Sequence, residues 1–128
     1  MKNILVTGGA GFIGSHTCLL LLEKGYEVHV VDSFVNSSPK SLDKILEIIK
    51  LKNSSIVPKL NIYNGDLRDK KFLENLFFDL HKNNKKIDGI IHFAGLKSVS
   101  ESVKYPLLYW EVNVIGSINL LEIMKKYN

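Results

Sequence analysis

The feature that most constrains this chain is a cluster of glycines near its N-terminus. Gly8, Gly11 and Gly14 satisfy G-x-x-G-x-x-G, and Gly9 with the last two satisfies G-x-G-x-x-G. The cluster follows the apolar run Ile4–Val6 and precedes a helical pattern, the context that this motif requires. Only glycine adopts the angles of so tight a turn at low cost, and its missing Cβ lets a pyrophosphate approach the backbone. The segment therefore predicts a phosphate-binding turn, with a plain strand-to-helix turn as the alternative.

Strands and helices alternate along the rest of the chain. Apolar runs predict short strands at residues 4–6, 27–32, 60–63 and 87–93. Helical spacing predicts helices over about 13–24, from Ser38-Pro39, from Asp69, and from the capping-box pattern Ser98–Glu101, with a long helix from Tyr105-Pro106 to about Lys126. Gly25 is placed to end the first helix. This order predicts a Rossmann-like α/β fold, a doubly wound parallel sheet of about four strands with flanking helices, incomplete as a domain.

Two aspartates follow predicted strands at the end where such folds bind ligands. Asp32 ends the second strand, where a carboxylate accepts hydrogen bonds from ribose hydroxyls and repels a 2′-phosphate. This favours NAD over NADP, and the alternative is a carboxylate that only caps a turn. Asp66 follows the third strand, and it either borders the adenine or only pairs with Arg68. The sequence leaves those two alternatives equal.

Composition excludes several other classes of function. The net charge is +4, but the lysines are scattered and form no stripe interleaved with aromatics, so no nucleic-acid partner is predicted. The histidines have no metal-ligand spacing. Cys18 is the single cysteine, which rules out an internal disulfide and suits a small buried side chain. We expect no secretory segment, no membrane span and no membrane partner, and therefore a cytoplasmic location.

Two segments carry a resemblance to a known family. They are TGGAGFIGSH, Thr7–His16, and HFAGLKSVSESV, His92–Val103, the second followed by Tyr105-Pro106 and Asn113-Val114. The chain resembles the extended short-chain dehydrogenase/reductases and, within them, the UDP-glucose 4-epimerases. Related sugar-nucleotide dehydratases are similar only in outline. The resemblance covers essentially all 128 residues but roughly the first third of a family-length chain.

The resemblance implies NAD as the cofactor and a set of residues that bind it. Phe12 and Ile13 would offer backbone N–H groups to the pyrophosphate, Lys97 would donate to ribose hydroxyls, and Asn113 would orient the loop that carries Lys97. The full set of cofactor-binding residues predicted from the motif and the resemblance is Gly8, Gly11, Phe12, Ile13, Gly14, Asp32, Asn36, Ser37, Asp66, Leu67, Phe93, Ala94, Gly95, Lys97 and Asn113. No metal ligand is predicted.

The resemblance also implies a reaction for which this chain lacks the catalytic residues. Such enzymes interconvert UDP-glucose and UDP-galactose, in galactose metabolism, by reversible hydride transfer at sugar C4. A tyrosine with a lysine four residues on acts as the base, and no Tyr-x-x-x-Lys occurs here. We therefore expect the chain alone to be inactive, with the catalytic segment and the sugar-nucleotide domain absent and a UDP-sugar partner only in a full-length enzyme. The alternatives are a non-catalytic dinucleotide-binding or interaction module, or part of another NAD-dependent sugar-nucleotide epimerase or dehydratase.

One consequence for self-association follows from the predicted topology. Without a neighbour, the fourth strand becomes an exposed sheet edge that can pair with another chain. We therefore expect a homo-oligomer, or self-association through this strand or through the last helix.

Overall fold

The computed structural model describes residues 1–127. Contacts divide the chain into two compact units. The first comprises Met1–Asn64 and Ile87–Phe93, and the second comprises Gly65–Lys86 and the residues from Ala94 onward.

The first unit is built on a parallel four-stranded sheet in the order β3-β2-β1-β4. Its elements are β1 (Asn3–Thr7), α1 (Phe12–Glu23), β2 (Glu27–Asp32), α2 (Lys40–Lys52), β3 (Lys59–Asn64) and β4 (Ile87–His92). In register, Val6 of β1 lies beside Val30 of β2 and Ile91 of β4. The predicted α/β class, strand number and parallel pairing are confirmed.

The core of the first unit follows from the two-residue period of the strands. Val6, Val28 and Val30 point to one face of the sheet and are fully buried. They form a single cluster with side chains of α1 and α2 at helical spacing, namely Cys18, Leu22, Leu42, Ile45 and Ile49. Gly25 has φ +80 and its N–H donates to Leu22 O at 3.0 Å, so it ends α1 as predicted.

The second unit is helical. Its elements are α3 (Lys70–Lys82), α4 (Val99–Lys104), α5 (Pro106–Trp110), a π-helical turn (Glu111–Ile115) and α6 (Gly116–Lys126). Asp69 caps α3, because its carboxylate accepts the N–H of Phe72 at 3.0 Å, as the sequence predicts. Helices α3 and α6 contact each other, and the salt bridges Lys70–Glu122 and Lys126–Glu74 join them.

The fourth strand was expected to form an exposed sheet edge, and β4 is the terminal strand on its side of the described sheet, with no fully buried residue. One expectation needs correction. The expectation of no apolar stretch of membrane-spanning length was wrong. The 21-residue helical segment Pro106–Lys126 is long and apolar enough to cross a bilayer by length and composition. Core helices meet the same criteria, so this observation alone assigns no membrane location.

Candidate functional site

The glycine turn between β1 and α1 is shaped by two of its glycines. Gly8 has φ +67, in the left-handed region that glycine adopts most easily. Its carbonyl accepts the N–H of Gly11 at 3.1 Å, which closes the turn. A Cβ built on Gly14 would lie 2.2 Å from that same carbonyl oxygen. The first turn of α1 therefore lies so close to the strand end that a Cβ at position 14 would overlap backbone atoms.

The N-terminus of α1 presents backbone donors without partners. Gly11 is the N-cap residue, and no side chain caps the helix. Among residues 1–127, the N–H groups of Phe12, Ile13 and Gly14 make no hydrogen bond. Phe12 and Ile13 are exposed residues, whereas Gly14 is buried. Free donors at the positive end of a helix dipole form an anion-binding arrangement.

Asp32 lies beside this turn and holds it in place. One carboxylate oxygen accepts the N–H of Ala10 at 2.9 Å. The other accepts the N–H of Phe34 at 2.9 Å and the hydroxyl of Ser37 at 2.8 Å. These three bonds occupy three of the roughly four lone-pair positions of a carboxylate, which leaves one on the oxygen that faces Ala10. The structure thus joins the predicted residues Asp32 and Ser37 to the glycine turn.

Two other predicted residues of the first unit lie near strand ends. Asn36 is exposed in the loop after β2 and makes no hydrogen bond within the described chain. Phe93 directly follows β4, and its N–H donates to Thr7 O at 3.0 Å, which continues the β1–β4 pairing by one residue. The side chain of Phe93 is 38% exposed, so it is only partly a core residue.

In the second unit, Asp66 forms an ion pair with Arg68. The guanidinium donates to both carboxylate oxygens, with the shortest distance 2.7 Å, and also reaches Glu111 at 3.5 Å. Hydrogen bonds from Arg68 lower the pKa of Asp66 below its ordinary value of 3.8. Of the two alternatives for Asp66, the pairing with Arg68 is observed, and a contact with adenine stays a prediction. The neighbouring Leu67 is buried, and its carbonyl accepts from Asn119 at 3.0 Å.

The loop that contains Gly95 and Lys97 is clamped at two points. Asn113 accepts the N–H of Leu96 at 2.7 Å and donates to its carbonyl at 2.8 Å. A Cβ on Gly95 would lie 3.1 Å from the amide oxygen of Asn113, so glycine gives this clamp its room. Lys97 is exposed and makes no hydrogen bond within residues 1–127. That Asn113 orients this loop toward a cofactor stays a prediction.

The second clamp involves Tyr109, a residue that was not among the predicted site residues. Its hydroxyl accepts the N–H of Ser98 at 3.0 Å and donates to the carboxylate of Glu101 at 2.9 Å. The predicted capping box is therefore only half formed. Ser98 accepts the N–H of Glu101 at 3.4 Å, while the return bond goes through the tyrosine. Tyr109 lies on the separate helix α5, so no local sequence pattern signals this bond.

The strand order, the glycine turn between β1 and α1, and the carboxylate that ends β2 together define the Rossmann-like α/β class of proteins. The family model described as GDP-mannose 4,6 dehydratase matches residues 5–128, and the chain belongs to that family.

Curated relatives that match this chain include UDP-glucose 4-epimerases. UDP-glucose 4-epimerase 2 of Arabidopsis thaliana is 47% identical over 98% of this chain, and the match covers 33% of the relative. The UDP-glucose 4-epimerase of Yersinia enterocolitica is 49% identical over 95% of this chain and 33% of its own length. This chain therefore spans about a third of the length of the curated relatives it matches. The resemblance predicted from the sequence is confirmed.

Solved structures agree with this assignment. UDP-glucose 4-epimerase from Bifidobacterium longum, crystallised with NAD⁺ and UDP, superimposes with a TM-score of 0.84 at 42% identity, covering 99% of this chain and 34% of that one. The enzyme from Stenotrophomonas maltophila, with NAD and formylated UDP-arabinopyranose bound, gives a TM-score of 0.81 at 39% identity, covering 98% and 34%. The fold predicted from the sequence is that of the N-terminal Rossmann-like region of these epimerases.

Proposed function

We propose that this chain is the NAD-binding portion of a UDP-glucose 4-epimerase, and that its glycine turn binds the pyrophosphate of NAD. The relatives and the NAD-bound neighbours support the assignment of family and cofactor. In the complete protein the cofactor would accept the hydride from sugar C4 and return it to the other face, which interconverts UDP-glucose and UDP-galactose. Galactose metabolism would be the setting of that reaction.

The observation that carries the proposal is the set of unpaired N–H groups beside Asp32. The donors of Phe12, Ile13 and Gly14 lie at the start of α1, where the helix dipole favours negative charge. The missing Cβ of Gly14 lets α1 begin close to the end of β1, and the missing Cβ of Gly11 lets a pyrophosphate approach the backbone of the turn. The residues present therefore fit a pyrophosphate group.

Asp32 would add selectivity for the nucleotide. Its remaining acceptor position can take a hydrogen bond from a ribose hydroxyl, with Asn36 and Ser37 in the adjoining loop. A 2′-phosphate brought to the same place would meet a carboxylate that is 8% exposed, so solvent would screen the repulsion poorly. We therefore propose that the chain discriminates in favour of NAD against NADP.

Calorimetric titration of the chain with NAD, NADP and ADP tests this proposal. We expect NAD and ADP to bind and NADP to bind at least tenfold more weakly, a difference of about 1.4 kcal/mol. Asp32→Ala should weaken NAD binding and reduce the discrimination. Asp43→Ala is the matched control, because it removes the same charge from an exposed position on α2.

Thermal unfolding of each variant accompanies the titrations, since Asp32 also accepts two backbone N–H groups. A folded chain that binds neither NAD nor ADP would contradict the proposal.

In the second unit, we propose that Lys97 donates to ribose hydroxyls of the cofactor and that Asn113 holds its loop. The other predicted residues there are Asp66, Leu67, Ala94 and Gly95. The support is the resemblance together with the bidentate bonds of Asn113 to Leu96. Lys97→Met should weaken NAD binding without lowering the melting temperature, because Lys97 is exposed and makes no hydrogen bond within the described chain.

We propose that the chain alone does not catalyse epimerisation, because its sequence contains no Tyr-x-x-x-Lys to supply the base. Incubation with UDP-galactose and NAD, followed by chromatography, should yield no UDP-glucose. Formation of product above the level given by heat-denatured chain would refute this.

We further propose that the chain self-associates through the edge of β4 or through its last helix, and that it is cytoplasmic. β4 is a terminal strand of the described sheet, and the helical segment exposes Leu107, Trp110 and Leu121 by more than 60% each. Sedimentation equilibrium should show oligomers at high concentration, and a monodisperse monomer would refute the proposal of self-association.

The proposed cytoplasmic location is in keeping with the single cysteine, which is buried and free, as suits a reducing compartment. Cell fractionation tests the location.

A further inference from the structure

A serine on the first turn of α2 contacts the glycine turn. The hydroxyl oxygen of Ser41 lies 2.8 Å from the carbonyl oxygen of Ala10, across 31 residues of chain. The same hydroxyl lies 2.9 Å from the carbonyl oxygen of Ser38. A hydroxyl has one proton to donate, so the two carbonyls compete for it.

The burial of the two carbonyl groups and the other donors that each one has decide which of them receives the proton. The carbonyl of Ser38 already accepts the backbone N–H of Ser41 at 3.1 Å, and Ser38 is exposed to water. The carbonyl of Ala10 has no other donor among residues 1–127, and Ala10 is only 4% exposed. A buried carbonyl without a donor is costly, so the proton of Ser41 belongs to Ala10.

This bond fixes the plane of one peptide group. The Ala10–Gly11 peptide is planar, with its C=O on one side and the N–H of Gly11 on the other. Ser41 holds the C=O at 2.8 Å, and the carbonyl of Gly8 holds the N–H at 3.1 Å. With the N–H of Ala10 held by Asp32, the peptide groups on both sides of Ala10 are fixed immediately before the N-cap.

We propose that Ser41 is a positioning residue for phosphate binding. By fixing the Ala10–Gly11 peptide, it sets the direction of the N–H groups of Phe12 and Ile13 that follow. This inference rests on the proposed function, since it concerns the same glycine turn. Ser41 does not itself touch the cofactor in this proposal.

A pair of variants of equal shape tests the role of the hydroxyl. Ser41→Thr keeps it, and Ser41→Val removes it while keeping the branched side chain. Ser38→Ala is the matched control, because it removes a hydroxyl of the same loop whose one hydrogen bond to the backbone is local, accepted from the N–H of Lys40. For each protein, calorimetry gives the Kd for ADP, and ¹H–¹⁵N NMR gives the ADP-induced shifts of the Phe12 and Ile13 amides.

We expect Ser41→Val to raise the Kd for ADP by about fivefold to tenfold, the range set by one lost hydrogen bond, and to reduce the two amide shifts. Ser41→Thr and Ser38→Ala should stay within about twofold of the parent chain. A purely structural serine would change the melting temperature but leave ADP affinity and the amide shifts alike in the Thr and Val variants, and that result overturns the inference. If the valine variant does not fold, Ser41→Ala takes its place with the same criteria.

ADP binding by the parent chain distinguishes a failure of this inference from a failure of the proposed function. Failure of the folded parent chain to bind ADP would overturn the proposed function and this inference with it. Binding by the parent chain, with the Val and Thr variants equal, would overturn this inference alone.

Discussion

The sharpest prediction concerns two glycines of one motif that the structure makes unequal. A Cβ on Gly14 would lie 2.2 Å from Gly8 O and 2.8 Å from the Cα of Gly9, where ordinary contact begins at 3.4 Å. Both obstacles are backbone, so no side chain can move aside. On Gly11 the Cβ would meet only Gly8 O, at 3.3 Å, and its φ of −71 suits alanine.

The expected magnitudes follow from these distances. Overpacking costs about 1–3 kcal/mol where side chains can adjust, so a clash with backbone at Gly14 falls at the upper end or beyond. Alanine gains about 1 kcal/mol over glycine inside a helix, which leaves Gly14→Ala less stable by about 2 kcal/mol or more. Gly11→Ala should change stability by less than about 1 kcal/mol, because losing glycine at the N-cap is offset by a less flexible unfolded chain.

Urea unfolding, monitored by far-UV circular dichroism, gives the free energy of unfolding of both variants. An equal slope of this free energy against urea concentration in the two variants would show that only stability changes. Gly14→Ala should also lower the melting temperature by about 7 °C, given the size of the chain. If Gly14→Ala unfolds at the same urea concentration as Gly11→Ala, then the close approach of α1 to the end of β1 does not constrain position 14, and the reasoning fails.

Three further predictions concern residues away from that turn. Burial raises the pKa of Cys18 to about 12, so the folded chain at pH 8 should react with a disulfide reagent far more slowly than the urea-unfolded chain, and equal rates would contradict its burial. Arg68→Met should return the lowered pKa of Asp66 toward 3.8 in carboxyl-carbon NMR. A carboxylate with a lowered pKa stabilises the fold at pH values above its ordinary pKa, and that stabilisation is lost as the pH falls through the lowered pKa. The variant should therefore lose this part of the dependence of stability on pH. At neutral pH its stability should change by under about 1 kcal/mol, because the pair is partly exposed. Asn113→Ala should destabilise the fold by about 1–2 kcal/mol and accelerate hydrogen exchange at the Leu96 amide, and an unchanged exchange rate would show that the clamp is not formed.

Local patterns in the sequence were enough to predict most elements and several of their ends. The second strand was predicted at residues 27–32 and is found there. Asp69 caps α3 and Gly25 ends α1, because each acts on backbone groups within three or four residues of itself. Interactions between residues so close along the chain can be predicted from the sequence.

Interactions that depend on packing left no such pattern. The π-helical turn Glu111–Ile115 within the last long helix was not predicted, since nothing in its spacing differs from an α-helix. The capping box was predicted from Ser98 and Glu101, yet Tyr109 takes the second bond from a separate helix. From the sequence, an ion pair with Arg68 and a contact with adenine were equal alternatives for Asp66, and only the structure shows that the ion pair forms.

The sequence by itself determined the order of strands and helices, the placement of the glycine turn between β1 and α1, and a carboxylate at the end of β2, because these depend on spacing along the chain and on the properties of single residue types. Only the tertiary structure decided that a Cβ on Gly14 would lie 2.2 Å from the carbonyl oxygen of Gly8, while a Cβ on Gly11 would lie 3.3 Å from it. It alone brought Ser41 to Ala10 and Asn113 to Leu96. The physical reason is that hydrogen bonds and steric contacts depend on distances of a few tenths of an ångström between segments far apart in sequence, and strand register and helix packing set those distances.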